Sequence, residues 1–291
     1  TTLNGLVCDG KLADLNVTMF LELNTFLDFD NKALPRRFVV ISSDDAVEHT
    51  FVLNHMLMLY LKTGRRVFQL NFVHDDAFFA SVCQKLGINL KTYAAKNAFR
   101  SFSCLKLLKE LVKGSFLDSS HPFAFLTAPA SQHGDDRLSA LRSQVLDELR
   151  SFVVCDDGAA TKGGEVLVLV DDVSSLLNFG LGCREIAGLL HSIRLEPLVR
   201  ERGTVVAGSK SCAREEDADC HRLCTYLSHL ADATIDVRGL STGHSRDITG
   251  QISVTRTSNT QLPTTKQMHF RIEDRGVKLF PVGLNKLPLH M

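Results

Sequence analysis

The alternation of apolar runs and polar breaks along the chain predicts strands separated by helices. Runs rich in branched apolar residues predict strands at 38–41 (FVVI), 166–170 (VLVLV), 204–207 (TVVA) and 233–237, and an alternating run predicts another at 66–72. The run at 166–170 contains no polar residue, which is typical of a strand that is covered on both faces in the parallel centre of an α/β sheet.

Apolar residues at helical spacing predict the helices between these strands. The predicted helices cover residues 51–61, 74–86, 97–114, 138–153, 185–194 and 221–230, with a short amphipathic segment at 19–29. The segment 51–61 (FVLNHMLMLYL) is apolar on nearly every side, so this helix should be buried. Gly64 follows it and suits the left-handed conformation that ends many helices.

The carboxyl-terminal part of the chain predicts short antiparallel strands at 252–256, 268–273 and 277–281. The turn at 273–276 (EDRG) would join the last two as a hairpin. The whole pattern predicts an α/β fold: a mostly parallel central sheet flanked by helices, with an antiparallel extension. We expect residues 19–291 to form one domain and residues 1–18 to be an extension that is disordered or artefactual.

Composition narrows the class of protein. The 291 residues are 44% hydrophobic, which supports one large domain with an ample core. The formal net charge of zero gives no overall field for nucleic acid, so such contacts would need a local basic patch. No apolar run reaches the ~18 residues of a membrane span, and the amino terminus shows no secretion signal. Eight cysteines in a chain of this length predict reduced thiols of an intracellular protein.

Asp171 and Asp172 directly follow the strand at 166–170. The carboxyl end of a central strand is where open α/β sheets bind ligands. In nucleotide hydrolases, an Asp at this Walker B position holds magnesium. The alternative is that both residues only begin a loop and that Ser174 or Ser175 caps the next helix.

The loop at 42–50 (SSDDAVEHT) stands between a strand and a helix, where a phosphate-binding loop belongs. Such a loop needs glycines, so that backbone N–H groups can turn toward phosphate, and a Lys that neutralises it. Ser43 and Glu48 stand in place of the glycines, His49 in place of the Lys, and only Thr50 supplies the expected hydroxyl. Three carboxylates in the loop would also repel a triphosphate. We therefore predict a degenerate P-loop and no nucleotide cofactor.

Two glycine-bearing segments resemble phosphate-binding loops only superficially. Residues 158–164 (GAATKGG) lead into a strand, whereas a P-loop follows one, and we interpret them as a flexible surface loop. Residues 208–210 (GSK) contain a lone Gly before Ser-Lys, and we interpret them as a turn.

Two clusters in the last third of the chain suggest ligands. Cys212, Cys220, Cys224 and His229 are possible zinc ligands. There is no CxxC pair, however, and the spacing also suits a core helix, so we expect no metal. Arg238 and Arg256 lie on either side of the loop at 239–250 and Arg246 lies within it, so these arginines could contact phosphates, although a solvated hairpin explains them equally well.

Several ordered segments resemble the family of the sixth Elongator subunit. They are MFLELNTFL at 19–27, EHTFVLNHML at 48–57, QKLGINL at 84–90, LVLVDDVSSLLNFGLG at 167–182, and LSHLADATIDVRGLSTGHSRDITGQISV at 227–254. The resemblance covers about residues 19–283 and is weakest over 91–160.

The resemblance implies a RecA-like ATPase fold that lacks a working P-loop. It implies a heterohexameric ring with Elongator subunits four and five, two copies of each, that docks on the catalytic subcomplex and contacts tRNA. Under this resemblance, Arg238, Arg246 and Arg256 are the candidate tRNA contacts. Elongator begins the modification of the wobble uridine of tRNA, so the implied role is non-catalytic support of tRNA binding and release. The implied location is the cytoplasm, with the nucleus as a second compartment.

The same resemblance, together with the apolar segment after Asp172, suggests a subunit interface. RecA-like subunits pack face to face through large apolar surfaces, and Leu176, Leu177, Phe179 and Leu181 are the candidates here. The competing hypothesis is a divergent RecA-type ATPase that uses Asp171 as its magnesium carboxylate. The neutral charge disfavours a third class, an independent nucleic-acid-binding module.

Overall fold

A computed structural model describes residues 21–27, 37–113, 121–126, 137–154, 165–243, 245–257, 262–274 and 276–283. The strands are β1 (Phe38–Ser43), β2 (Arg66–Asn71), β3 (Phe99–Ser103), β4 (Val166–Val170), β5 (Gly203–Lys210), β6 (Ala233–Arg238), β7 (Gly250–Arg256), β8 (Thr264–Glu273) and β9 (Gly276–Pro281). The α-helices are α1 (Leu21–Leu27), α2 (Thr50–Lys62), α3 (Asp76–Lys85), α4 (Leu90–Ala95), α5 (Cys104–Val112), α6 (Ser139–Val154), α7 (Cys183–Leu195), α8 (Pro197–Arg202) and α9 (Ala218–Leu230). Ala124–Leu126 and Ser174–Phe179 are short 3₁₀ helices.

All nine of these strands form one sheet, in the order β3-β2-β4-β5-β1-β6-β7-β8-β9. The first six strands in this order are parallel, and β7, β8 and β9 are added antiparallel. This confirms the predicted α/β class, the mostly parallel centre and the antiparallel extension. The β8–β9 pairing joins Glu273 to Gly276, as the predicted hairpin requires.

The sheet separates two apolar layers. Helices α1, α2 and α3 pack on one face, against side chains such as Ile41, Val67 and Leu169. Helices α5, α6, α7 and α9 pack on the other, against side chains such as Phe68 and Val168. All five residues of β4 are buried, because the strand is covered on both faces as its uniform apolar run predicted.

Two predictions of local structure are wrong. Residues 97–114 form not one helix but a strand, β3, followed by helix α5. Phe99 and Phe102 have helical spacing, yet β3 pairs in parallel with β2, and the Ser103 side chain begins α5 by accepting from the Lys106 N–H. Residues 208–210 are not a turn but the end of β5, because they pair with β1. The predicted surface loop at 158–164 lies outside the described residues.

Candidate functional site

The carboxyl ends of three adjacent parallel strands bring several polar side chains together. Because β4, β5 and β1 are neighbours, Asp171 and Asp172 after β4 lie beside Ser209 in β5 and Ser43 in β1. All four residues are buried. We call this region the carboxyl edge; it is where an open α/β sheet would place a ligand.

Both carboxylate oxygens of Asp171 accept hydrogen bonds from backbone N–H groups of this chain. Its Oδ1 accepts from the N–H groups of Phe72 at 2.7 Å and Asp172 at 2.7 Å. Its Oδ2 accepts from the N–H groups of Val73 and His74, each at 2.9 Å. A carboxylate has about four acceptor positions. Asp171 therefore clamps the end of β4 to the loop after β2 and keeps no lone pair for a magnesium ion.

His49 fills the space between β1 and β4. Its Nδ1 lies 2.7 Å from Ser43 Oγ and its Nε2 lies 2.9 Å from the main-chain oxygen of Asp171. Burial lowers the pKa of His49, so the ring is neutral. Because a carbonyl only accepts, Nε2–H donates to Asp171 and Nδ1 accepts from Ser43. The residue in the position of the P-loop Lys thus closes the site.

Gly208 allows this close approach. A Cβ atom at this position would overlap both the main-chain oxygen of Asp171 and Nε2 of His49. The Gly inside β5 therefore lets the histidine and the β4 backbone pack directly on the strand. A lone Gly within a branched strand often marks such an approach, and this signal was present in the sequence.

Asp172 begins the 3₁₀ helix that follows β4. Its Oδ1 accepts from Ser174 N–H at 2.9 Å and from Ser174 Oγ–H at 2.5 Å. Burial raises the pKa of Asp172, and the Ser174 hydrogen bonds oppose that rise. Ser174 Oγ in turn accepts from Lys210 N–H at 3.1 Å. These contacts are close to the alternative hypothesis, in which Asp171 and Asp172 only begin a loop before the next helix. The accepting side chain, however, is that of Asp172 and not of Ser174 or Ser175.

In the loop at 42–50, the carboxylate of Asp44 accepts hydrogen bonds from backbone N–H groups. Asp44 Oδ1 accepts from the N–H groups of Ala46 and Val47, each at 3.1 Å, and Asp44 Oδ2 accepts from Gly239 N–H at 2.9 Å. Backbone N–H groups that would face an anion in a P-loop are therefore already occupied. Lys210 Nζ lies 3.9 Å from Asp45 Oδ1, so the nearby ammonium is also opposed by a carboxylate.

The prediction that 42–50 is a loop is wrong for Ser42 and Ser43, which belong to β1, and His49 is buried and hydrogen-bonded. Glu48 is exposed as expected, and Thr50 Oγ1 donates to Glu48 Oε2 at 3.3 Å. The hydroxyl expected to face magnesium therefore binds within the loop.

Two of the four candidate interface residues are buried in the core of this chain, and the interface itself stays a prediction. Leu176 and Leu181 are 0% and 3% exposed and belong to the core beneath α7 and α9. Leu177 and Phe179 are partly buried and pack on the same core, with Phe179 edge-on to Phe123. The apolar segment after Asp172 folds into its own domain, so a charge at Leu176 would unfold the protein before it tested any interface.

The three candidate tRNA-contacting arginines do not form one patch. Arg238 pairs with Gln251 and Arg256 pairs with Ala233, so these two arginines lie at opposite ends of the β6–β7 ladder. Five residues of strand separate those ends, about 17 Å. Arg256 donates to Leu27 O at 2.6 Å and fixes α1, whereas Arg238 contacts Asp236 and Arg246 is exposed.

The cysteines form a pair and not a metal cluster. Cys212 Sγ lies 3.1 Å from Cys220 Sγ, while His229 is exposed at the end of α9. Within the described ranges, no group of three or more His, Cys, Asp or Glu is arranged to hold a metal ion. The absence of zinc stays a prediction that elemental analysis would check.

Among the residues that the structure describes, no helix is both long and apolar enough to cross a membrane.

Comparison with known proteins assigns the chain to a family. The family model described as "Elongation complex protein 6" matches residues 20–274. The chain belongs to this family. Elongator complex protein 6 of Danio rerio is 28% identical over 283 residues, which cover 93% of this chain and 100% of that protein. The Rattus norvegicus and Homo sapiens proteins of the same name are 27% and 26% identical, over 93% and 92% of this chain and 100% and 98% of their own lengths.

This family assignment confirms the resemblance that the sequence segments predicted. The match extends across β1 to β8 and both faces of the sheet, and it includes the whole carboxyl edge.

Proposed function

We propose that this chain is a non-catalytic, RecA-like subunit of the Elongator accessory ring. In this proposal it assembles with Elongator subunits four and five, two copies of each, and the ring docks on the catalytic subcomplex. The ring then supports tRNA binding and release during modification of the wobble uridine, in the cytoplasm and also the nucleus. The observation that carries the non-catalytic part is the closed carboxyl edge, in a chain whose family bears the Elongator name.

The arrangement of the carboxyl edge favours a scaffold over an ATPase. His49 occupies the space between β1 and β4 that a bound phosphate would need, and Asp171 has no acceptor position left for a magnesium ion. Asp45 and Asp172 add negative charge beside this space. A triphosphate would have to displace His49 and face several carboxylates, each repelling it by up to roughly 4 kcal/mol at 4 Å.

The RecA-like part of the proposal is supported by the order of the parallel strands. The first β–loop–α unit, β1 to α2, lies at the middle of the sheet next to β5, and the Asp-terminated strand β4 is one strand further away. The loop at 42–50 and the carboxylates of Asp171 and Asp172 therefore lie at the same edge, and this arrangement supports descent from a nucleotide-binding fold.

The assembly is tested by native mass spectrometry. Co-expression of the full chain with Elongator subunits four and five should give one species with two copies of each. In a separate preparation of this chain alone, a fluorescent ATP analogue should show no saturable binding. A monodisperse monomer that ignores both partners would contradict the ring, and micromolar nucleotide binding that fails with Asp171→Asn would favour the divergent ATPase.

The cellular role is tested with substitutions that leave the fold intact. Glu48→Ala and Lys210→Ala each remove a charge at the carboxyl edge without emptying a buried position. Expressed in cells that lack the endogenous protein, both variants should restore wobble-uridine modification to the wild-type level, measured by mass spectrometry of tRNA. An assembled ring in which either variant abolishes modification would mean that this edge performs chemistry.

A further inference from the structure

A cavity lies at the end of the strands opposite the carboxyl edge, where β1 and β5 begin. It has a volume of about 270 Å³ and is formed by the starts of these strands with helices α7 and α8. We call it the amino-edge pocket. Its cationic or titratable lining residues are Arg37, His191, Arg194 and Arg200.

The charges of this pocket are not balanced by its own walls. Among the described residues that line it there is no Asp or Glu. Two carboxylates close to the pocket in sequence or space have other partners: Glu196 accepts from Arg150, and Asp232 accepts from the Phe38 N–H at 2.7 Å. Three guanidinium groups that share one cavity repel each other, and this repulsion is relieved when an anion enters.

The pocket combines these charges with an apolar floor and rim. The Arg194 Cζ atom lies over the Phe38 ring, 4.6 Å from its centre, and this cation–π contact holds the guanidinium beside β1. Val199 and Val205 form the rest of the floor and are buried, whereas Leu195 is 52% exposed. A ligand that fits would place an anionic group against the arginines and an apolar group on Leu195.

We infer that the amino-edge pocket receives a carboxylate side chain from a partner protein, on a segment that has an apolar residue beside its Asp or Glu. Guanidinium groups bind carboxylates with two parallel hydrogen bonds, and aromatic-supported arginines are frequent anchors at protein interfaces. The site would serve such a partner whether or not the chain assembles into the ring proposed above.

Nucleic acid fits this pocket less well than an acidic protein segment. Single-stranded RNA needs a track of cations along its backbone and exposed aromatic rings on which bases stack. Here the cations converge on one cavity, and Phe38 is only 1% exposed beneath Arg194. The zero net charge of the chain also provides no long-range attraction for a polyanion.

Photo-crosslinking in the full-length chain tests the inference. A benzoylphenylalanine replaces Leu195 at the rim of the pocket, the chain is expressed in cells that lack the endogenous protein, and the crosslinked segment is sequenced by mass spectrometry. The charge-reversal variant is Arg37→Glu with Arg200→Glu, and Arg37→Gln with Arg200→Gln removes the charge alone. The matched control is Lys85→Glu with Lys91→Glu, two exposed cations of α3 and α4 that face away from the pocket.

We expect the crosslink on a partner segment with an Asp or Glu within two residues. Its yield should fall at least tenfold in the charge-reversal variant, stay unchanged in the Lys control, and return when the partner's acidic residue is changed to Arg. A crosslink to RNA, to a segment without a carboxylate, or one that ignores charge reversal would overturn the inference, as would no crosslink at all. Native mass spectrometry of the same samples reports ring assembly separately.

Discussion

The polar groups at the two ends of the parallel strands differ in whether they have partners within the chain. At the carboxyl edge, His49, Asp171 and Asp172 are buried, and each is hydrogen-bonded to the protein's own backbone or to a serine. At the amino-edge pocket, Arg194 and Arg200 lie at the surface of a cavity with no carboxylate among its described lining. The first arrangement stabilises the fold, whereas the second leaves charge for another molecule.

The difference shows which polar clusters indicate function in a fold of this kind. Buried polar groups are costly unless they are paired, so a buried and fully paired cluster is explained by stability alone. Converging like charges destabilise a free protein slightly and are explained more simply by a partner. A polar residue at the ligand-binding edge of an α/β sheet is therefore weak evidence of a functional site by itself. Whether its side chain already has hydrogen-bond partners within the chain is stronger evidence.

The largest effect should come from the Asp171 clamp. Asp171→Ala removes the acceptor of four backbone N–H groups, two of them in buried and two in partly buried hydrogen bonds, so we expect the free energy of unfolding to fall by about 4 kcal/mol. Urea denaturation followed by circular dichroism measures this. Glu48→Ala, an exposed carboxylate of the same edge, is the control and should change stability by less than about 0.5 kcal/mol. Equal effects of the two would mean that Asp171 is not a clamp.

Asp171 also shows what the sequence can and cannot predict. The apolar run before it identified a buried central strand, because every residue of that run is explained by one environment. The role of its carboxylate depends on donors from residues 72–74, about a hundred positions away in the chain. No local pattern contains this pairing, so a structural Asp and a magnesium-binding Asp look identical in sequence.

Which surface buries an apolar side chain is also not encoded in a local pattern. Leu176 and Leu181 are apolar whether they face a partner subunit or their own core, and only the packing of α7 and α9 distinguishes the two. Likewise, Phe99 and Phe102 fit a helix by spacing, but the open edge of β2 recruits them into β3. Elements that are apolar on nearly every side, such as α2 and β4, were predicted correctly, because the segment itself indicates that it is buried; β3, which depends on pairing with a neighbour, was not.

The second largest effect should come from His49, which closes the space between β1 and β4. His49→Ala removes two hydrogen bonds and leaves a cavity beside Gly208, so we expect a loss of about 2–3 kcal/mol. The double-mutant cycle with Ser43→Ala isolates the His49–Ser43 hydrogen bond, and we expect a coupling energy of about 1 kcal/mol. If the His49 variant is as stable as the wild type and binds an ATP analogue, the edge is a closed nucleotide site and not a structural one.

A smaller effect is expected from pH, through a histidine of the buried helix α2. Burial lowers the pKa of His55 to about 3, below the ordinary value of 6.5 that it regains on unfolding. The contribution of neutral His55 to the free energy of unfolding is therefore complete above pH 6.5 and is lost as the pH falls toward 3. At pH 5 the loss is about 2 kcal/mol, at 1.36 kcal/mol for each pH unit. Burial of His49 adds in the same direction, and His74 opposes it because the Asp171 carboxylate raises its pKa.

Urea denaturation at pH 7.5 and pH 5 tests this contribution. The wild type should lose about 2 kcal/mol more between the two values than His55→Gln does. The exposed His229→Gln variant serves as the control and should keep the wild-type difference. A wild-type difference that survives in His55→Gln would assign the pH dependence to other groups.

The smallest effect should come from the amino-edge pocket, and it is the one that separates the two regions. Arg37→Gln with Arg200→Gln removes charge from a cavity without removing any hydrogen bond to a carboxylate of its lining. We therefore expect the free energy of unfolding to change by less than about 0.5 kcal/mol, or to rise slightly because like-charge repulsion is relieved. The matched control is Arg65→Gln at the same end of the sheet, where Arg65 Nε lies 2.6 Å from Glu165 Oε2. That pair is partly buried, so its loss should cost about 1 kcal/mol or more.

If the pocket variant is destabilised as much as the control, the arginines are held by the protein itself, and the amino edge belongs to the same structural class as the carboxyl edge. If it is not, their charge has no use within the folded chain, which is the condition that a docking site for an acidic partner requires.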